Sequence, residues 1–232
     1  GSPQGSVISP LLANLFLHYA FDEWMRRNFS SIPFERYADD ILVHCKSERQ
    51  ARWIKTAIEK RLQQCQLQLH PKKTKIVYCK DIHREQEHDV IQFDFLGYTF
   101  RPRRSKDRYG RVFVNFTPAI SRSAAKAIRQ TVRSWRLQLK SDKSIEDLAH
   151  MFRPVIQEWI NYYCKFHPSA FHPIANHLNR YLARWAMRKF KRFRGHQRRA
   201  LYWLGRVAKR QRYLFPHWRA GFVPPTGTMG AR

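Results

Sequence analysis

The stretch Pro33-Phe34-Glu35-Arg36-Tyr37-Ala38-Asp39-Asp40-Ile41-Leu42-Val43-His44-Cys45 decides how this chain is read. Two short runs of strand character, Pro33 to Tyr37 and Ile41 to Cys45, flank Ala38-Asp39-Asp40, a layout that predicts a β-hairpin with a polar tip. Neighbouring side chains on a strand point to opposite faces, so Asp39 and Asp40 reach one site only from a tight turn. Two carboxylates held that close repel unless a cation neutralises them. Mg²⁺ does so, with carboxylate, water and substrate phosphate as its preferred ligands. A solvated Asp-Asp turn is the plain alternative. The apolar flanks Phe34, Tyr37, Ile41, Leu42 and Val43 make a mere surface turn less comfortable.

Upstream, Gly1-Ser2-Pro3-Gln4-Gly5 is loop-like, and Ser9-Pro10 reads as an N-cap followed by the first helical residue. Leu11, Leu12, Leu15, Phe16, Tyr19 and Trp24 follow at helical spacing, ending near Asn28–Ser31. Downstream, a helix starts at Ser47 and runs through Trp53, Ile54, Ile58 and Leu62 to about Gln64. Leu67, Leu69 and Ile76 to Tyr78 carry strand character around a polar turn at His70–Lys73. A charged loop, Asp81 to Asp89, leads to the strand-like run Phe93 to Phe100. Arg101 to Arg111 reads as a basic turn and Val112 to Phe116 as a short strand. Helices are expected at about 121–140, 144–164, 172–193 and 196–213, with Ser144 and Asp147 placed as a capping box. The class is α+β in front and all-α behind.

The chain has 232 residues, 44 of them Lys or Arg and 17 Asp or Glu, a formal charge of +27. The excess is uneven. Residues 1–100 hold 14 basic and 12 acidic residues, a net of +2, whereas residues 101–232 hold 30 and 5, a net of +25. A charge of that size favours a polyanionic partner. Four cysteines without a CxxC pair fit free thiols in a reducing, cytoplasmic compartment. No apolar run approaches the ~20 residues of a membrane span, and no signal peptide is visible.

Tyr37-Ala38-Asp39-Asp40 resembles the YxDD box of reverse transcriptases, with Ala in the second place as in the group II intron version. Gly1-Ser2-Pro3-Gln4-Gly5-Ser6-Val7-Ile8-Ser9-Pro10-Leu11-Leu12-Ala13-Asn14 is similar to the block that precedes that box in the family. Leu67-Gln68-Leu69-His70-Pro71-Lys72-Lys73-Thr74-Lys75-Ile76 resembles the next block, and Phe93 to Phe100 the one after. Farther on, Trp159-Ile160-Asn161-Tyr162-Tyr163 and Tyr181-Leu182-Ala183-Arg184-Trp185 resemble the maturase region, or domain X. The chain is therefore identified as a member of the group II intron reverse transcriptase/maturase family.

The resemblance implies an RNA-directed DNA polymerase and splicing maturase, with a partial reverse-transcriptase palm at 1–100 and a basic connector at 101–117. Thumb and domain X would occupy 118–218 and a flexible tail 219–232. It implies Asp39 and Asp40 as catalytic metal ligands for a two-metal Mg²⁺ site. Tyr37 would lie beside the incoming nucleotide or primer end, and Pro3, Gln4 and Gly5 would line the nucleotide pocket and template. Lys73 would approach the triphosphate, and Phe95, Leu96 and Gly97 would grip the primer. Lys73 is equally readable as a solvated lysine, and Phe95 and Leu96 as core. The implied partners are group II intron RNA, an RNA template with DNA primer, and deoxynucleoside triphosphates. The family's third carboxylate would lie in a block before Gly1, so these 232 residues alone are expected to polymerise little. A non-catalytic maturase remnant that binds intron RNA is the competing reading.

From Arg180 to Arg212 cations alternate with aromatics. Arg180, Arg184, Arg188, Lys189, Lys191 and Arg192 form the first part of the set. Arg194, Arg198, Arg199, Arg206, Lys209 and Arg210 complete the expected RNA-binding residues. Too few acids lie nearby for i,i+4 salt bridges to absorb them, which makes RNA phosphates the expected counterions. The aromatics Tyr181, Trp185, Phe190, Phe193, Tyr202 and Trp203 are expected to close a helical bundle rather than to serve as base-stacking platforms. Cys79, His83 and His88 match no common zinc spacing. No HNH-type cluster follows Trp218, so no DNA endonuclease domain is expected.

Overall fold

The computed structural model describes residues 7–84 and 86–227. It is α+β, with two small antiparallel sheets among helices, and it divides into two compact units. One comprises Gly1–Tyr78 with His88–Val90, the other Cys79–Glu87 with Ile91–Arg232. The run Phe93 to Phe100 thus belongs with the helical half, whereas the sequence places a boundary after residue 100.

In the first unit a continuous helical rod runs through α1 (Ser9–Leu17), a π-helical turn (His18–Asp22) and α2 (Glu23–Asn28). Its N-cap is Ile8 rather than Ser9, so Pro10 stands second in the helix. Proline fits either place, because the first four helical N–H groups have no intrahelical acceptor. The π turn carries Phe21 and Asp22 into the interior. The hairpin of β1 (Phe34–Tyr37) and β2 (Asp40–Val43) follows, then α3 (Glu48–Gln64), capped by Ser47 Oγ accepting from the Gln50 N–H. Ile54, Ile58 and Leu62, at helical spacing on α3, meet Phe21, Met25 and Ile32 in one core. Phe34, Ile41 and Val43 press the hairpin onto that core, with Phe34 edge-on to Phe21 at 5.2 Å.

The strands expected at Leu67–Leu69 and Ile76–Tyr78 do not form. Leu67 and Leu69 pack on the core, and Tyr78 makes one backbone bond, its N–H to Val90 O at 2.9 Å, with no ladder. The turn at His70–Lys73 is present, closed by the Thr74 N–H on His70 O at 2.9 Å.

The second unit opens with a meander of β3 (Phe93–Phe95), β4 (Tyr98–Lys106) and β5 (Val112–Ile120). Most of the expected basic turn is strand, since Arg101–Lys106 pairs with Val112–Thr117. The turn itself is short. Asp107 Oδ1 accepts from the Tyr109 and Arg111 N–H groups at 2.8 and 2.9 Å, an Asx-type closure.

Four helices follow: α4 (Arg122–Ser134), α5 (Ile145–Tyr163), α6 (His172–Lys189) and α7 (Gln197–Arg210), with a short α8 (Pro216–Arg219). Both halves of the Ser144–Asp147 capping box are made. The middle of α6 is enclosed, with Ile174, Leu178, Leu182 and Trp185 all buried.

The expected flexible tail is packed as far as Gly227, and residues 228–232 lie outside the described residues. Phe222 is buried in the helical core and its carbonyl accepts from Asn179 Nδ2 at 3.2 Å. A Cβ on Gly205 would collide with the Pro225 carbonyl, so α7 presents bare backbone where this segment crosses it. Among the described residues no helix is long and apolar enough to cross a membrane, and Cys45, Cys65 and Cys164 are free thiols.

Candidate functional site

Strand pairing ends at Tyr37 and Asp40, which leaves Ala38-Asp39 as a two-residue loop. Ala38 has φ of +53°, a left-handed conformation that costs a residue bearing a Cβ on the order of 1 kcal/mol. This is the tight turn that the paired carboxylates require. Tyr37 is 65% exposed, and Asp39 and Asp40 are exposed beside it. Among the described residues neither carboxylate has an ion-pair partner.

Arg36 holds the turn. Its Nε and Nη2 donate to the two Asp22 carboxylate oxygens at 2.7 and 2.6 Å, a bidentate pair. Its Nη1 donates to Asn14 Oδ1 at 3.0 Å and to the Ala38 carbonyl at 2.9 Å. Both ion-pair side chains are only 11% exposed. Burial alone would push the Asp22 carboxyl up, but the hydrogen bonds and charge of Arg36 outweigh it and hold the carboxyl below its ordinary range. One guanidinium thus ties the π turn and α1 to the backbone of the loop that carries Asp39.

The sequence reading missed Arg36 and Asp22. Phe34-Glu35-Arg36-Tyr37 carries no local signal for the pair, because the partner of Arg36 lies 14 residues away. Arg36→Leu leaves the part-buried Asp22 with only His18, 3.6 Å away, and is expected to destabilise the first unit by about 3 kcal/mol in urea unfolding. Adding Asp22→Leu should recover a large share of that loss, because most of the cost is the orphaned charge.

Lys73 is exposed in the His70–Thr74 turn, in the same unit as Asp39. Pro3, Gln4 and Gly5 lie outside the described residues. Phe95, Leu96 and Gly97 stand in the second unit at the β3–β4 turn. Leu96 and Gly97 have φ of +49° and +78°, the pattern of a tight hairpin turn that leucine seldom adopts. The end of α5 secures it. Tyr162 Oη donates to Leu96 O at 2.8 Å, the Ser121 N–H donates to Gly97 O at 2.9 Å, and the Tyr98 hydroxyl donates to the Tyr162 carbonyl. A Cβ on Gly97 would sit 3.0 Å from Tyr163 Oη. Tyr162 and Tyr163 are therefore positioning residues for this turn, a role that the sequence does not display.

The cations from Arg180 to Arg210 spread over α6, the connecting 3₁₀ turn and α7. Arg180, Arg184 and Arg188 are exposed along α6, and Arg199, Arg206, Lys209 and Arg210 along α7. Lys191, Arg192 and Arg194 are exposed around the connecting turn, Arg192 lying 4.8 Å from the Phe193 ring. Arg198 Nε donates to Tyr202 Oη at 2.6 Å. Lys189 is spent internally, because its Nζ donates to the Ser141 and Lys143 carbonyls at 2.9 and 2.8 Å. None of these residues has a carboxylate partner among the described residues. Of the interleaved aromatics, Trp185 and Phe193 are buried, Tyr181, Phe190 and Trp203 pack on the core, and Tyr202 stays outside it as the acceptor for Arg198.

No group of three or more His, Cys, Asp or Glu side chains gathers among the described residues, at the turn or elsewhere. Asp39 and Asp40 are adjacent, exposed carboxylates, the ligand type of which Mg²⁺ commonly takes one or two beside water and phosphate. Their exposure leaves room for those other ligands, and no arginine or lysine competes for them.

Two family models match the chain. The model for reverse transcriptase (RNA-dependent DNA polymerase) matches residues 1–100, with the hairpin and the Phe95–Gly97 turn inside it. The model for the group II intron maturase-specific domain matches residues 125–203, most of the basic helical half. No curated protein matches the chain. The two matches leave the hairpin and the helices in one assignment: the chain belongs to the group II intron reverse transcriptase/maturase family.

Proposed function

We propose that Asp39 and Asp40 serve RNA-directed DNA polymerisation and that the basic helices hold group II intron RNA for splicing. The observation that carries the reading is the exposed, cation-free carboxylate pair on a strained turn pinned by Arg36. Such strain is retained where the turn's conformation matters, and the surroundings must then over-determine it.

In this reading the first unit is part of a palm, and the helices of the second form thumb and domain X. Mg²⁺, when bound, activates the primer 3′-hydroxyl and neutralises charge on the triphosphate. The hydroxyl attacks the α-phosphorus, the α–β bridging bond breaks, and pyrophosphate leaves. Asp39 and Asp40 supply the anionic oxygens, Tyr37 borders the nucleotide or primer end, and Lys73 approaches the triphosphate. Phe95, Leu96 and Gly97 grip the primer through a turn that Tyr162 holds rigid. The RNA template, the primer and deoxynucleoside triphosphates are the substrates, and intron RNA is the partner of the basic face. A maturase that only binds RNA is the second reading, favoured by the pair having no third carboxylate among the described residues.

The RNA half is tested by titrating salt against binding of a folded group II intron RNA. If six to ten phosphates are touched, affinity should fall about 10³–10⁵-fold between ~50 and ~200 mM salt. A flat response would remove the basic helices from the interface.

A further inference from the structure

The cations of α4 are distributed on one side only. At about 100° per residue, Arg122, Lys126, Arg129 and Arg133 fall within roughly 60° of arc. Ala125, Ile128 and Val132 form the adjacent core-facing stripe. The outward face carries Ser123, Ala127, Gln130, Thr131 and Ser134, without a single charge. Cations that served solubility alone would occupy that outward face. These line the flank that turns toward α6.

Contacts define what the flank meets. Arg122, Lys126 and Arg129 border a cleft of about 400 Å³ whose floor is Ile120, Ala125, Ala170, Pro173 and Ile174. On the opposite side α6 repeats the pattern, with His177, Arg180 and Arg184 one turn apart and the two arginines exposed. His177 is where the two rows converge. Burial lowers its basicity, and the charges of Arg180, Arg133 and Arg129 lower it further. Its Nε2 is buried without a hydrogen-bond partner, and its ring lies against Tyr181 at 4.7 Å. No relief comes from acids: α4 contains none, and none occurs anywhere in the sequence after Glu158. Like charges packed this closely cost self-repulsion until an anion enters.

We propose that the α4–α6 groove is a second RNA-docking surface, in which Arg122, Lys126, Arg129 and Arg133 face Arg180 and Arg184 across a single RNA strand and hold consecutive phosphates. The inference rests on the RNA-binding reading above and extends it to α4, outside the Arg180–Arg210 set. Both rows are runs of cations spaced along a helix, which suits successive phosphates, and phosphate contacts carry no sequence information. The apolar floor suits sugar edges. Binding through this groove is accordingly independent of sequence.

The test uses the full chain and a fluorescent oligouridylate of about 20 nucleotides, followed by anisotropy across ~50–200 mM salt. Each phosphate contact on a single strand contributes about 0.7 to the slope of log affinity against log salt, so Arg122→Gln/Arg129→Gln/Arg133→Gln should lower the slope by about 2. An oligoadenylate should lose affinity by the same factor. Lysine at the same three positions should keep the slope, which separates lost charge from lost structure. Arg198→Gln/Arg199→Gln/Arg206→Gln on α7 is the parallel control. If the α4 variant keeps wild-type affinity and slope, or wild type does not bind the oligouridylate, the groove is refuted. If only the α7 variant is silent, the groove stands and the α7 part of the intron-binding reading falls.

Discussion

Asp39→Asn is expected to slow primer extension on an RNA template by roughly a thousandfold, in any preparation of the protein that extends a primer. A carboxylate that holds a catalytic cation supplies several kcal/mol to the transition state, and about 4 kcal/mol corresponds to that factor. Asparagine keeps the size and shape of the side chain and is at home in tight turns, so the loop should survive. RNA affinity should stay within a few-fold of wild type, because the residue belongs to the hairpin of the first unit and the basic helices to the second. Single-turnover extension beside filter binding of intron RNA separates the two effects. Extension that persists at the wild-type rate would leave Asp39 without a catalytic role and favour the maturase-only reading.

Trp218→Ala should cost about 4 kcal/mol, the range for emptying a buried aromatic site. Trp218 is fully enclosed, edge-on to Phe215 at 4.7 Å, and its indole N–H donates to Asn179 Oδ1 at 2.9 Å. His217, equally buried, donates to the same oxygen from Nε2 at 2.9 Å. Burial pushes the His217 imidazole down to about 3, so it is neutral at ordinary pH, and the contact to a carbonyl oxygen places its proton on Nε2. Asn179 thus accepts from two residues of α8 while its amide reaches Phe222. Losing the indole opens a cavity and slackens that junction together. For a unit of about 150 residues the midpoint should fall by about 8–16 °C in calorimetry. A shift under ~2 °C would mean that α8 is not part of the cooperative core.

What the sequence displayed and what it hid divide along physical lines. The hairpin at Ala38-Asp39 was legible because its signal is local: two short apolar strands around a polar tip. Helix starts at Ser47 and Ser144 were legible for the same reason, since capping is settled within four residues. Strand pairing is not local. Ile76–Tyr78 has strand composition but is not strand, whereas Arg101–Lys106, dense in cations, pairs with Val112–Thr117 and becomes strand. The Pro- and Gly-rich end identified a loop correctly, but such residues do not say whether a loop is packed. Phe222 and Asn179, 43 residues apart, decide that. Among the site residues, Asp39, Asp40 and Tyr37 were visible as a motif, while Arg36 acquires its role only when Asp22 comes beside it. Lys189 reads as one more RNA-facing cation, yet two backbone carbonyls occupy it.

The β3–β4 turn rests on α5, and the two are one solid piece. The last stretch of the reverse-transcriptase match and a helix of the maturase match therefore share one set of contacts. A chimera that swaps either one must carry the other's contact tyrosines along. Drift in Tyr162 or Tyr163 would be felt first in the Leu96–Gly97 turn that they hold.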